Sequence, residues 1–80
     1  MIAVTGATGH VGNALVRELL NRGYKIRAII PPEENIASLS DLNVEIYRAD
    51  IRDLVALKEA LTGIEGIFHL AGIISLTTGQ

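Results

Sequence analysis

The segment Thr-Gly-Ala-Thr-Gly-His-Val-Gly at residues 5–12 decides the fold, and it directly follows the apolar run Ile2-Ala3-Val4. A short apolar run that stops at a glycine is typical of a buried strand that enters a tight turn. The glycines Gly6, Gly9 and Gly12 are spaced Gly-x-x-Gly-x-x-Gly. Between a strand and a helix, such a glycine-rich loop indicates a binding site for the phosphates of a dinucleotide.

Each glycine of this loop has a separate role in that interpretation. Gly6 makes the sharp turn out of the strand, Gly9 lets a pyrophosphate approach the backbone, and Gly12 lets the helix pack close to the sheet. The helix start presents free N–H groups and a partial positive charge to the phosphates. A P-loop would need a lysine and then Ser or Thr after its second glycine, and the chain has no such match. The alternative is a tight strand-to-helix turn without a ligand.

The pattern after the loop predicts one helix and a second strand. Apolar residues recur at steps of three and four, and the residues on one helical face are then Val11, Leu15 and Leu19. Gly23 is expected to end this helix in a left-handed conformation. Residues 25–30 are rich in isoleucine and stop at Pro31-Pro32, which predicts a strand because proline cannot donate to a sheet ladder.

The second half of the chain repeats the alternation of strand and helix. Residues 31–43 are mostly polar, with one helical turn near residues 36–39, and residues 44–48 predict a third strand. Asp53 is a good N-cap for a helix through Leu61, and Gly63 ends that helix. The apolar stripe of this helix is Leu54, Leu57 and Leu61. Residues 67–70 predict a fourth strand, and residues 73–80 look like an unfinished loop.

These elements predict an α/β fold with a parallel sheet covered on both faces, because the strands are short continuous apolar runs. Right-handed crossovers give the strand order 3-2-1-4, which is the first half of a Rossmann-like sheet. We therefore expect residues 1–80 to form one partial dinucleotide-binding domain.

Composition excludes several other classes of protein. The chain has 80 residues, 49% of them hydrophobic, a net charge of −2 and no cysteine, which excludes disulfides, zinc fingers and cysteine nucleophiles. His10 and His69 lie far apart in sequence and do not indicate a metal site. Without a basic cluster we expect no nucleic-acid partner. No apolar stretch is long enough for a membrane span, and the start does not resemble a signal peptide, so the cytoplasm is the expected location.

Three motifs together resemble a known family. They are the glycine loop, Arg48-Ala49-Asp50-Ile51-Arg52-Asp53 after the third strand, and Phe68-His69-Leu70-Ala71-Gly72 on the fourth. In this order and spacing they resemble the extended short-chain dehydrogenase/reductases, in particular the NAD-dependent epimerase/dehydratase and dihydroflavonol-reductase-like group. The resemblance covers essentially the whole chain and does not select one enzyme.

The resemblance implies a set of cofactor-binding residues. Gly6, Gly9 and Gly12 would hold the pyrophosphate together with the backbone of Thr8, His10 and Val11; the alternative for Thr8 and His10 is an exposed loop position with no role in binding. Asp50 and Ile51 would meet the adenine, with the Asp50 carboxylate accepting from its exocyclic amine; the alternative for Asp50 is a solvated loop carboxylate. The ribose and pyrophosphate side would be lined by Leu70, Ala71 and Gly72. His69 is expected to be a packed strand residue and not a catalyst.

The chain departs from the family at the position that selects between NAD and NADP. At the end of the second strand the family has an acidic residue for the ribose 2′-hydroxyl or an arginine for a 2′-phosphate, and here that place is Pro31. Glu33 and Glu34 follow at the expected distance from Gly12 but lie beyond two prolines. Arg27 lies within the predicted strand. The residues leave both NAD and NADP open.

The chain also lacks the family's catalytic pair, Tyr-x-x-x-Lys, because Tyr24 is followed four residues later by Ala28 and Tyr47 by Ile51. We therefore predict no catalytic residue here and no hydride transfer by the chain alone. The interpretation is the dinucleotide-binding N-terminal portion of a longer NAD(P)-dependent oxidoreductase or nucleotide-sugar epimerase/dehydratase. The alternatives are a non-catalytic redox-sensing module and an inert fragment. Bare sheet edges predict self-association.

Overall fold

A computed structural model describes residues 1–70, and the predictions for Ala71, Gly72 and residues 73–80 lie outside the described residues. The elements, in chain order, are β1 (Ile2–Thr5), α1 (His10–Asn21), β2 (Ile26–Ile30), a single 3₁₀ turn (Ala37–Leu39), β3 (Glu45–Arg48), α2 (Leu54–Ala60) and β4 (Gly66–His69). The sheet order is β3-β2-β1-β4, and every pairing is parallel. The predicted α/β class, the Rossmann-like strand order and the element types are confirmed, with strand bounds that differ by about one residue.

The two central strands, β1 and β2, separate two apolar clusters. On one face Val4 and Ile30 pack with Val16 of α1 and with Leu39 of the 3₁₀ turn. On the other face Ala3 and Ile29 pack with Ala49 and Ala60. Because side chains of a strand alternate between faces, both faces of these strands are apolar, as expected for a parallel sheet covered on each side.

The buried face of α1 is rotated from the predicted stripe. Leu19 is buried as predicted and the partly buried Leu15 packs against the same cluster, but the other buried residues are Gly12 and Val16, and Val11 is 72% exposed. The cause is the close approach of Gly12 to the turn, where an added Cβ would lie 2.0 Å from the Gly6 carbonyl oxygen. This contact sets the rotation of the helix, and periodicity then points Val11 toward solvent.

Asp53 caps α2 as predicted, but only part of the predicted leucine stripe packs on the sheet: Leu61 contacts the second apolar cluster, and Leu54 does not. The Asp53 carboxylate accepts from the backbone N–H groups of Val55 and Ala56, at 3.1 and 3.3 Å. Leu54 is 74% exposed, while Ala60 is fully buried. The helix approaches the sheet through small side chains, and this leaves the first-turn leucine outside.

A glycine follows the end of each helix as predicted. Gly23 and Gly63 have φ values of 89° and 79°, in the left-handed region.

Neither α1 nor α2, the two α-helices among residues 1–70, has the length and apolar character that crossing a bilayer requires.

The outer edge of β4 has no partner strand among residues 1–70. Ile67 and Phe68 of this strand are 45% and 41% exposed. Such an edge invites pairing with another chain, and self-association through it stays a prediction.

Candidate functional site

A cleft of about 480 Å³ opens at the carboxyl ends of the strands, beside the start of α1. Ligand sites in proteins commonly have volumes of about 300–1,000 Å³. In open parallel sheets the ligand crevice lies outside the carboxyl ends of the strands, where the strand order reverses. Here β1 has β2 on one side and β4 on the other, so the cleft lies at that point. Its lining residues are Thr5, Gly6, Thr8, Gly9, His10, Val11, Gly12, Ile29, Pro31, Glu34, Ile51 and Leu70.

Two glycines of the loop are required by the fold. Gly6 has a φ of 71°, which L-residues with a side chain rarely adopt. A Cβ at Gly12 would lie 2.0 Å from the Gly6 carbonyl oxygen and 3.0 Å from the Cα of Ala7, so any side chain there would force the helix away from the turn. Both residues therefore shape the loop from within.

Gly9 differs from them, because neither its conformation nor its packing requires glycine. Its φ of −74° and ψ of 168° are extended backbone that any residue adopts. A Cβ there would lie 3.4 Å from the Gly6 carbonyl oxygen, an ordinary contact. Gly9 is exposed and lines the cleft. The missing side chain leaves backbone open to whatever enters the cleft.

Helix α1 begins at this glycine without a capping side chain. Among the described residues no side chain accepts a hydrogen bond at its N-cap, and the first turn carries no acidic residue. The first turn-closing bond runs from the Asn13 N–H to the Gly9 carbonyl, at 2.8 Å. The N–H groups of the first turn have no intrahelical acceptors, and they carry the positive end of the helix dipole. The geometry suits an anion.

The predicted adenine contacts, Asp50 and Ile51, are placed differently by the structure. Ile51 lines the cleft, and Asp50 is not among the residues that line it. The Asp50 carboxylate accepts from the Arg52 guanidinium at 2.8 and 3.1 Å, and from the Arg52 backbone N–H at 2.9 Å. These bonds from Arg52, the side-chain ones first, lower the pKa of Asp50 to about 2. The adenine role of Asp50 stays a prediction.

Thr5 fastens the end of β4 to the end of β1. Its hydroxyl lies 2.8 Å from Nδ1 of His69 and accepts from the Leu70 N–H at 3.1 Å. His69 is thus engaged within the sheet, in agreement with its expected role as a packed strand residue. Leu70 is held in the wall of the cleft by the same hydroxyl. Sequence reasoning missed Thr5, although a polar residue at the end of an apolar strand is a usable signal.

Glu34 also lines the cleft. The sequence alone did not predict the direction of its side chain, because two prolines precede it. Its carboxylate accepts a hydrogen bond from the Thr8 hydroxyl of the glycine loop. Its backbone is held by Arg48, which donates to the carbonyl oxygens of Glu34, Pro31 and Pro32 at 2.7, 3.2 and 3.2 Å. Glu33 is not among the lining residues. The loop after β2 therefore contacts the glycine loop through the hydrogen bond between Glu34 and Thr8.

Arg27 lies away from the cleft. Its guanidinium donates to the carbonyl oxygens of Ala60 and Thr62, at 2.7 and 2.9 Å, and to the Glu45 carboxylate at 2.7 Å. It therefore stabilises the carboxyl end of α2 and is engaged there.

The profile of the NmrA-like family matches residues 1–79 of the chain. The chain belongs to the NmrA-like family. It is 46% identical to sterol demethylase protein B of Methylococcus capsulatus, over 96% of this chain and 24% of that protein. It is 35% identical to dihydroflavonol 4-reductase of Dianthus caryophyllus, over 88% of this chain and 22% of that enzyme. The chain thus spans about a quarter of the length of the curated relatives it matches.

Solved structures of similar proteins share the fold of this chain. A nucleoside-diphosphate-sugar epimerase of Pseudomonas aeruginosa has a TM-score of 0.82 at 31% identity, over 92% of this chain and 24% of its own. A short-chain dehydrogenase/reductase superfamily protein of Agrobacterium tumefaciens, solved with bound NAD, has a TM-score of 0.70 at 31% identity, over 89% and 20%. An NADPH-dependent quinone oxidoreductase of Escherichia coli has a TM-score of 0.77 at 32% identity, over 86% and 26%. The resemblance to the reductases and epimerases is confirmed.

Proposed function

We propose that this chain forms the adenosine and pyrophosphate side of a nicotinamide-dinucleotide site in an NAD(P)-dependent reductase or epimerase. The observation that carries the proposal is Gly9, a glycine that the fold does not need, at an uncapped helix start that lines the cleft. The relatives support it, since one solved structure contains NAD and another is of an NADPH-dependent enzyme.

The residues of the cleft fit such a group. The first-turn N–H groups of α1 would donate to the pyrophosphate oxygens, and the bare backbone at Gly9 would let the phosphates come close. Ile51 and Leu70 offer apolar walls, and both line the cleft. Ala71 and Gly72, which follow Leu70 in the sequence, would meet the ribose and pyrophosphate side of the dinucleotide, and Asp50 would accept from the adenine amine. In this proposal Thr5 acts as a positioning residue, because its hydroxyl holds Leu70 in place.

When bound, a nicotinamide ring supplies a centre that accepts or donates hydride. The chain's own contribution is to bind and orient the other end of the cofactor. The 80 residues hold no Tyr-x-x-x-Lys pair that would move a proton at the substrate. We therefore propose that hydride transfer and substrate binding depend on a larger protein, for which residues 1–80 are a partial dinucleotide-binding domain.

The test is a calorimetric titration of the chain with NAD, NADP and ADP-ribose. Gly9→Val should weaken binding about tenfold or more, since loss of even one charge-assisted hydrogen bond is worth about 1.5–3 kcal/mol. The matched control is Gly66→Val, because a Cβ at Gly66 meets nothing within 4 Å and this residue begins β4 at the opposite end of the sheet. Unchanged affinity in a folded Gly9→Val variant would remove the loop from the site.

A further inference from the structure

The cleft contains one feature that its proposed function leaves unexplained, a carboxylate at its rim. Glu34 is the only Asp, Glu, Lys or Arg among the described residues that line the cleft. Its carboxylate meets the Thr8 hydroxyl, so the side chain points back toward the glycine loop. Glu33, its exposed neighbour, is not in the lining.

The position of Glu34 is held by the fold as well as by its own side chain. The Glu34 N–H donates to the Pro31 carbonyl at 3.1 Å, and Arg48 donates to the Glu34 carbonyl at 2.7 Å. Pro31 and Pro32 restrict the loop further, because each proline fixes its own φ. A carboxylate on such a loop loses little freedom when it accepts a hydrogen bond from a ligand.

Recognition of the adenosine ribose distinguishes the two nicotinamide dinucleotides. A carboxylate accepts from the free 2′-hydroxyl of NAD, whereas a cation is needed beside the 2′-phosphate of NADP. Pro31, the first residue after β2, offers neither group. Glu34 offers the carboxylate from three residues further on, in the same cleft and on the same side as the glycine loop.

We infer that Glu34 determines the choice of cofactor at this site and makes it prefer NAD to NADP. The inference rests on the proposed function. The carboxylate accepts from the ribose 2′-hydroxyl, while a 2′-phosphate would meet a like charge at short range, with no Lys or Arg in the lining formed by residues 1–70. Thr8 and Arg48 are positioning residues: the hydroxyl of Thr8 aims the carboxylate, and Arg48 holds the loop that carries it.

The test compares the dissociation constants of the chain for NAD and NADP. We expect NAD to bind at least about tenfold more tightly, the change that corresponds to about 1.4 kcal/mol. Glu34→Gln keeps the size of the side chain and removes its charge, and it should bring the ratio close to one, mainly by tightening NADP. Glu33→Gln is the matched control and should leave the ratio unchanged. The preference should also shrink as ionic strength rises, because salt screens the repulsion.

The outcomes distinguish a failure of the inference from a failure of the proposed function. The inference alone is overturned if the parent chain binds NADP as tightly as NAD or more tightly. It is also overturned if Glu34→Gln and Glu33→Gln give the same ratio of the dissociation constants for NAD and NADP. Arg48→Gln supplies a further readout. If it weakens NADP binding and spares NAD, Arg48 is the group that meets the 2′-phosphate and the inference is wrong. If neither dinucleotide binds, the proposed function falls and this inference falls with it.

Discussion

Residues 1–70 contain two junctions between a strand and an α-helix, with the same topology and opposite chemistry. Between β3 and α2 the helix starts at Asp53, whose carboxylate accepts from two backbone N–H groups. Between β1 and α1 the helix starts at Gly9, which has no side chain to offer, and no acid follows in the first turn. The first junction satisfies its own N–H groups, and the second leaves them to the cleft.

In the proposed function, this difference separates a structural turn from a turn that binds the dinucleotide. A short helix such as α2, with seven residues, depends on its cap because few internal bonds stabilise it. The longer α1 is stabilised by packing of Val16 and Leu19 and can begin uncapped. The uncapped start of α1 therefore leaves N–H groups available to a ligand in the cleft, which the capped start of α2 does not.

The largest effect is expected where the uncapped junction packs most tightly. Gly12→Ala should lower the free energy of unfolding by about 3 kcal/mol, because the new Cβ would lie 2.0 Å from the Gly6 carbonyl oxygen. Chemical denaturation measures the loss, and Gly66→Ala is the control, because its Cβ meets nothing within 4 Å. A Gly12→Ala variant as stable as that control would show that the turn yields easily.

Converting the proposed binding junction into a capped one should strongly weaken dinucleotide binding and spare the fold. Gly9→Asp places a carboxylate on a residue whose extended backbone already suits an N-cap. We expect a stability change of a few tenths of a kcal/mol and a loss of dinucleotide affinity of about a hundredfold, since the carboxylate takes the N–H groups and repels the pyrophosphate. Thermal melts and calorimetry on one sample measure both. Retained affinity would separate the helix start from the site.

The reverse change, at the capped junction, should affect only stability. Asp53→Ala removes the acceptor for the Val55 and Ala56 N–H groups and should cost about 1 kcal/mol of stability. Dinucleotide affinity should stay within experimental error, because Asp53 does not line the cleft. A large loss of affinity would mean that the two junctions are coupled.

The smallest effect concerns the ion pair beside the capped junction. Arg52 lowers the pKa of Asp50 to about 2, so Asp50 should stay ionised well below the range of an ordinary aspartate. Because folding lowers the pKa of Asp50, the ionised carboxylate contributes to stability when the pH is above its pKa in the unfolded chain. This contribution is lost as the pH falls through about 4 to 2. A carboxyl NMR titration measures this, and Arg52→Gln should return the pKa toward its ordinary value. An Asp50 pKa that Arg52→Gln leaves unchanged would contradict the cause.

Local patterns predicted the order of the elements and several of the residues that line the cleft. The glycine loop, the Asp53 cap and the helix-ending Gly23 all depend on residues within a few positions of one another, and each lies where the pattern placed it. Asp50 shows a limit of such patterns. The motif predicts its position after β3, but in the structure its carboxylate accepts a hydrogen bond from Arg52, two residues further on.

What the amino-acid order alone determined is the succession of strands and helices and the place of the glycine loop between β1 and α1. What required the folded chain is the direction in which side chains face. The rotation of α1 follows from Gly12 pressing on Gly6, and the aim of Glu34 follows from Thr8, 26 residues before it, and Arg48, 14 residues after it. Periodicity and turn chemistry act between near neighbours, whereas these contacts form only once the sheet brings distant segments together.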